Sequence, residues 1–272
     1  MIGCGRVGQT LAALLHRHAQ VQVQDLYSRS MSSAIQAAQF VNAGKPVAEL
    51  DRMNAADVWL LSVPDTQIAT VAKALADAQG RTLVGSIVFH NSGFLSSAEL
   101  QPLQALGCHV ASAHPVLNIA SPKTGVHQFE GTPCGLEGDT FALNWLKTVL
   151  TTIGGHCFEI ASENKSLYHA AAVFSSNFTV VLQGIAHDAW SSAGVPFELI
   201  QPLTEVLLKS TVSNVLNLGP AKALTGPAAR GDTAVILAQG EAVERWSAPA
   251  GELYKTLSSL AIKLKKEGKT RI

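Results

Sequence analysis

The 272-residue sequence predicts an α/β protein, a doubly wound, mostly parallel sheet followed by an all-helical C-terminal domain. Three observations carry that expectation. Residues 1–160 alternate strand-like and helix-like segments, a glycine-rich turn at the very start leads straight into a helical pattern, and no strand signal remains after Ile160. Alternation of this kind gives a sheet of parallel strands covered by helices on both faces.

Taken in order, apolar and β-branched runs mark strands at 21–27, 57–63, 83–89, 109–113, 132–136 and 156–160. Helical periodicity fits 7–18, 31–42, 66–79, 95–106 and 139–153 between them. The first strand is the exception, because only Met1 and Ile2 precede Gly3. A central strand is normally about five residues long, so the natural product is expected to begin upstream of Met1. From Ala161 to about Ala193 the pattern reads as one long helix, apolar nearly all round and therefore in need of cover on every side. Gly194-Val195-Pro196 ends it, and further helices fit 197–216, 231–246 and 249–267. The expected domains are thus 1–160, a nucleotide-binding unit, and 161–272, a helical unit for substrate binding and homodimerisation.

Composition narrows the class. Hydrophobic residues make up 47% and charged residues 15%, which suits a packed globular protein and excludes a disordered one. The net charge is zero, so neither nucleic acid nor an anionic membrane is an expected partner. The apolar run 170–185 is interrupted by Ser175, Ser176, Asn177 and Gln183, which argues against a membrane span. Cys4, Cys108, Cys134 and Cys157 share no metal-ligand spacing, no metal is expected, and a reducing, cytoplasmic compartment is the default.

The most informative motif is Gly3-Cys4-Gly5-Arg6-Val7-Gly8. In such a turn the first glycine permits a tight bend and the second lets backbone approach a pyrophosphate. The third lets helix and strand pack closely, while the helix N-terminus faces the phosphates. The segment 21–27 follows where a second strand belongs, so a dinucleotide is expected here. That strand runs out through Tyr27 into Ser28-Arg29-Ser30, where a 2′-hydroxyl reader would carry a carboxylate. An arginine between hydroxyls suits a 2′-phosphate, so NADP(H) is expected over NAD(H). Asp25, the competing carboxylate, lies short of the strand tip. Val63-Pro64-Asp65 ends the next strand and turns the backbone over the cofactor cleft, with Asp65 or Thr66 capping the following helix.

Two further strand ends, His90-Asn91-Ser92-Gly93 and Ser112-Ala113-His114-Pro115, fall where open α/β sheets bind ligands. Asn91, Ser92 and Gly93 are candidate substrate contacts, and His114 is a candidate proton donor or substrate ligand. The long helix opens with Glu163, Lys165, Tyr168 and His169, and Lys165 and His169 share a helical face. An amine and an imidazole aimed into a cleft can protonate a carbonyl oxygen as hydride reaches its carbon. Late in the chain, Arg230 precedes a helix for which Asp232 is the natural N-cap, and its guanidinium can hold a carboxylate or tie loop to helix.

Together these residues resemble the Rossmann-like proteins with a DUF2520 domain, over essentially the whole chain. The likeness is carried by the glycine loop, Tyr27 to Ser30, Val63 to Asp65, His90 to Gly93, Ala113 to Pro115, Lys165 to Asn177, and Leu224 to Asp232. The resemblance implies a helical domain like that of 6-phosphogluconate dehydrogenase, and distant kinship to β-hydroxyacid dehydrogenases, ketopantoate reductases and pyrroline-5-carboxylate reductases. In the first two groups a catalytic lysine is followed four residues later by asparagine; Lys165 matches the lysine, but His169 stands at the asparagine position. His114-Pro115 is similar to the His-Pro of prephenate dehydrogenases. These likenesses imply an NADPH-dependent oxidoreductase acting on a small carboxylated ketone or imine, such as the 2-oxo acid ketopantoate. Lys165, His114 and His169 would be catalytic, and Asn91, Ser92, Gly93, Asn177 and Arg230 would bind substrate. The rival expectation is a non-catalytic NADP-binding sensor or scaffold.

Overall fold

The computed structural model describes residues 1–271, in two compact units divided between Ser175 and Ser176. The first is a Rossmann-like sheet with helices on both faces. Its strands are β1 Asp25–Tyr27, β2 Lys45–Val47, β3 Val58–Leu61, β4 Ile87–His90, β5 His109–Pro115, β6 Pro133–Gly138 and β7 His156–Glu159. Its helices are α1 Arg6–His18, α2 Met31–Val41, α3 Ile68–Gln79, α4 Gln101–Gln104, α5 Pro122–Gln128, α6 Thr140–Thr152 and α7 Lys165–Ser175. Strands β3 to β7 lie in sequence order, and β1 pairs with β2. Ile2 joins the two sets, bridging Tyr27 on one side and Leu61 on the other in parallel. Every pairing is parallel except β5 with β6.

The strand stub is shorter than a central strand usually is, yet it is fully paired. Ile2 N–H donates to Leu60 at 2.8 Å and Gly3 N–H to Tyr27 at 2.8 Å, while the Met1 and Ile2 carbonyls accept from Tyr27 and Ser62. Short as it is, this segment pairs with both of its neighbours.

Alternation along the strands sorts side chains to two cores. Phe89, Ala111, Ala113 and Leu136 meet Leu11, Leu14, Leu146 and Leu150 of α1 and α6 on one face. Val88, Val110, Trp59 and Leu61 meet Ile68, Leu75 and Leu103 of α3 and α4 on the other. Burial on both faces explains why Ile87, Val88 and Phe89 of β4 are apolar without alternation.

Several elements differ from the sequence pattern. Strand β2 was hidden by Pro46, a residue sheets tolerate at an edge, which is where β2 lies. Helix α5 begins at a Ser121 capping box with Pro122 in its first turn, a start signal the apolar pattern did not reveal. The expected helix 95–106 shrinks to a 3₁₀ turn, Ser97–Leu100, and the single turn α4. The expected long helix 161–193 is interrupted: Ser176 leaves helical geometry at φ −119°, ψ −67°, and a second helix restarts at Asn177.

The second unit is helical: α8 Asn177–Ser192, α9 Phe197–Leu218, α10 Pro220–Ala223, α11 Pro227–Arg230, α12 Thr233–Trp246 and α13 Ala248–Glu267. Close packing of α12 on α13 depends on Gly251, where an added Cβ would come within 2.7 Å of the Glu244 backbone. The unit's own helices leave much apolar surface uncovered, Phe197 at 88% and Leu216 at 79% exposure among it. Among the described residues no helix is long and apolar enough to cross a membrane.

Candidate active site

The glycine loop is shaped by one neighbour, Ser62 at the end of β3. Gly3 sits at φ +89°, and a Cβ there would fall 2.2 Å from the Ser62 carbonyl oxygen. A Cβ on Gly8 would lie 2.8 Å from the Ser62 side chain, so this glycine lets α1 pack down on β3. Gly5 is different: nothing in the protein lies within 4 Å of where its Cβ would be. Its bareness leaves room outside the chain, at the N-cap of α1, where no side chain caps the free N–H groups. A cleft of about 430 Å³ opens at this point, lined by Gly3, Gly5, Ser28, Arg29, Ser62, Val63 and Pro64 among others. Its backbone donors, dipole end and exposed guanidinium fit a dinucleotide's phosphates.

Of the other expected cofactor contacts, Arg6 is exposed on the first turn of α1 and Val7 packs against the core. Ser30 sits at the N-cap position of α2, its hydroxyl against that of Ser32. Asp25 is buried in β1 and accepts from the Asn54 backbone at 2.6 Å and its side chain at 3.0 Å. It is committed to holding the 54 loop, and the cleft keeps Arg29 without a carboxylate rival at the strand tip. Asp65 is not a helix cap, because no side chain caps either the 3₁₀ turn Asp65–Gln67 or α3. Its carboxylate instead accepts from Ser92 Oγ at 2.9 Å.

That bond leads into a polar cluster at the ends of β4 and β5. Asn91 Nδ2 donates to Ser62 Oγ at 3.0 Å, so Ser62 borders both the cleft and the cluster. Among the described residues the buried Asn91 Oδ1 has no hydrogen-bond partner. An acceptor oxygen does not hold a carboxylate, so as a substrate contact Asn91 is suited to a donor group. Ser92 Oγ accepts from the Phe94 and Leu95 backbones, which curls the loop. Beneath it, His90 is fully buried, accepting from Ser92 N–H through Nδ1 and donating Nε2–H to the Ser96 carbonyl. Burial pushes its pKa down to about 4.

Lys165, the first residue of α7, is 1% exposed. Its ammonium donates to the Ser92 carbonyl at 2.9 Å and to Ser112 Oγ. Burial lowers its pKa to about 8, against the upward pull of Glu137 and Asp65. An ammonium has three N–H bonds, and two are used here. His114 is half-buried and held near neutrality of charge: burial, then the His169 and Lys165 charges, push its pKa down to about 4. Its Nδ1 lies 2.8 Å from Tyr168 Oη, and its ring centroid 5.8 Å from that of His169. Gly93 is the floor between the two histidines, since an added Cβ would come within 2.5 Å of His169 and 2.7 Å of His114.

Lys165, His114, His169, Ser92 and Gly93 thus converge within the first unit. Asn177, exposed at the start of α8, and Arg230 belong to the second. Arg230 ends α11 and its Nε donates to Asp232 at 2.9 Å, so Asp232 spends its carboxylate on that pair and makes no side-chain cap for α12. Sequence reasoning missed Ser112 and Glu137. Ser112 alternates with His114 along β5 to the same face, and that spacing of two was a usable signal. Glu137, opposite Ser112 in the β5–β6 register, is buried and accepts from Ser97 N–H and Oγ, each at 2.7 Å, and from Ser162 Oγ at 2.8 Å. It ties the loop after β4 to the approach to α7. Among the described residues no group of histidine, cysteine and carboxylate side chains is assembled to hold a metal.

Fold and site define a dinucleotide-binding α/β unit with a polar cluster at its sheet edge, followed by a helical unit. Residues 1–115 match the Rossmann-like domain family and residues 132–261 the family described as a domain of unknown function, DUF2520. The two matches lie in that order along the chain. The structure of protein TM1727 from Thermotoga maritima is 28% identical over 98% of both chains, with a TM-score of 0.79. A Bacteroides fragilis protein named as an NADP oxidoreductase, BF3122, is 25% identical over 96% of both chains, with a TM-score of 0.75. An imine reductase from Myxococcus stipitatus in complex with NADP+ shares the fold at 17% identity, over 99% of this chain and 94% of its own, with a TM-score of 0.61. No curated protein matches the chain.

Proposed function

We propose that this protein is an NADPH-dependent reductase of a small carboxylated ketone or imine, with a 2-oxo acid such as ketopantoate as the leading substrate. One observation carries the reading: the phosphate-binding cleft and the Lys165–His114 cluster meet through Ser62–Asn91 and Asp65–Ser92 on a single sheet edge. A nicotinamide dinucleotide held at the glycine loop and Arg29 would supply hydride chemistry at this edge. The chain must then supply a proton to the oxygen or nitrogen, and Lys165 is the group poised for it, cationic at neutral pH yet softened by burial. His114 and His169 assist. The naming of BF3122 as an NADP oxidoreductase supports the class, and Ser28-Arg29-Ser30 supports NADP(H) over NAD(H). Oxidation of NADPH with a panel of 2-oxo acids and cyclic imines tests the reading. Tight NADPH binding with no turnover on any of them would favour a sensor instead.

The protein is further proposed to act as a homodimer through its helical domain, in a reducing, cytoplasmic compartment that suits four unpaired cysteines. The support is apolar surface that the helical unit does not cover itself, on α8 and α9 above all. Light scattering at micromolar concentration should give twice the chain mass; a stable monomer would refute it.

A further inference from the structure

We propose that Tyr168 is a positioning residue that locks His114 in its Nε2–H tautomer, so that the neutral imidazole presents an N–H to the reacting heteroatom of the substrate. The second half rests on the reductase reading above; the first half stands on geometry alone. A neutral imidazole has one donor and one acceptor nitrogen, and the partner of one nitrogen decides the state of the other. The partner here is Tyr168 Oη, 2.8 Å from Nδ1. Two arrangements fit that distance. In one, Nδ1–H donates to the phenol oxygen, leaving the phenol O–H over and the proton on Nδ1. The hydroxyl packs against Gly135 of β6, where an added Cβ would lie 2.8 Å from Oη. If the phenol donates to Nδ1, the proton sits on Nε2 and that N–H is the donor left for a ligand. Either arrangement leaves one donor over, so strength decides: a phenol O–H is a stronger donor than a neutral imidazole N–H, and an imidazole lone pair a stronger acceptor than a phenol oxygen, so the phenol donates.

The surroundings keep the ring neutral. The ionisable groups that face His114 are Tyr168 and His169 on its α7 side, Lys165 on the same helix, and Asp65 beyond the Ser92 loop. A neutral ring in this tautomer polarises a carbonyl or imine by hydrogen bonding and does not lose its proton. That leaves proton delivery to Lys165 and gives the two residues separate tasks. Gly93 completes the arrangement, since its missing side chain lets the Nδ1–Cε1 edge of His114 lie flat against the loop.

The experiment is long-range ¹H–¹⁵N correlation spectroscopy of the ¹⁵N-labelled full chain without ligands, with His114 assigned by comparison with His114→Gln. Wild type should show Nδ1 as the unprotonated acceptor and Nε2 as the protonated nitrogen at neutral pH. Tyr168→Phe keeps the ring and its packing but removes the donor, and should give the averaged shifts of a tautomer mixture. Protonated Nδ1 in wild type, or an identical pattern in Tyr168→Phe, would overturn the proposal. Because the spectra are read on resting protein, they stand apart from turnover. Failure of every 2-oxo acid and imine would count against the reductase reading while the tautomer result still stood.

Discussion

Replacing Lys165 with methionine separates stability from chemistry. The ammonium is enclosed, and its pKa falls from 10.5 to about 8 on folding. Below the folded value the lysine is charged in both states, and the folded state carries the full cost of burying it. A shift of that size corresponds to about 3 kcal/mol at pH 7. Between about pH 8 and 10.5 the unfolded chain holds the proton more tightly than the folded one, so stability rises with pH across that window. Lys165→Met removes the charge at nearly the same length but leaves the Ser92 carbonyl and Ser112 hydroxyl without their donor, at about 1 kcal/mol or more each. The two effects offset at pH 7, where the variant should be about as stable as wild type. From pH 7 to about pH 10, wild type should gain about 2–3 kcal/mol on the variant, read from urea unfolding. Turnover should fall about 10²-fold or more, with NADPH affinity little changed. Stability curves that run parallel in pH would refute the buried-charge argument. Turnover that survives in Lys165→Met and collapses in His114→Ala would move the proton donor to the histidine.

Arg29→Ala should weaken NADPH by roughly ten- to a hundredfold while sparing NADH, as expected for one lost charge-assisted contact of about 1.5–3 kcal/mol; equal losses in paired titrations would remove the 2′-phosphate role. Gly93→Ala should displace both His114 and His169, whose ring atoms lie 2.5–2.9 Å from the new Cβ. Turnover should drop with NADPH affinity intact, and a fully active variant would show that the loop can give way. Glu137→Gln offers one oxygen where Ser97 and Ser162 supply three donors, and should cost on the order of 1–3 kcal/mol. An unchanged urea midpoint would show that the carboxylate does not brace the site.

The sequence by itself determined the features that repeat locally. Gly3, Gly5 and Gly8 announced a phosphate loop because each answers a backbone constraint within a few residues. The apolar runs announced strands because burial on both faces leaves no polar positions, and the first turn of α7 placed Lys165 and His169 on one face by helical spacing alone. What the tertiary structure decided depends on register between segments far apart in the chain. Lys165 finds Ser92 and Ser112 across 73 and 53 positions, and Tyr168 finds His114 across 54. No local pattern encodes those pairings, because they follow from how β4, β5 and β6 align and where the chain after β7 returns to them. The same reason governs the reassigned groups. Asp65 and Asp232 have the residue type of a helix cap, but a serine hydroxyl and an arginine reached their carboxylates in the folded chain. Glu137 carries no local signal, and only antiparallel β6 sets it beside Ser112, where low dielectric makes every buried donor seek an acceptor.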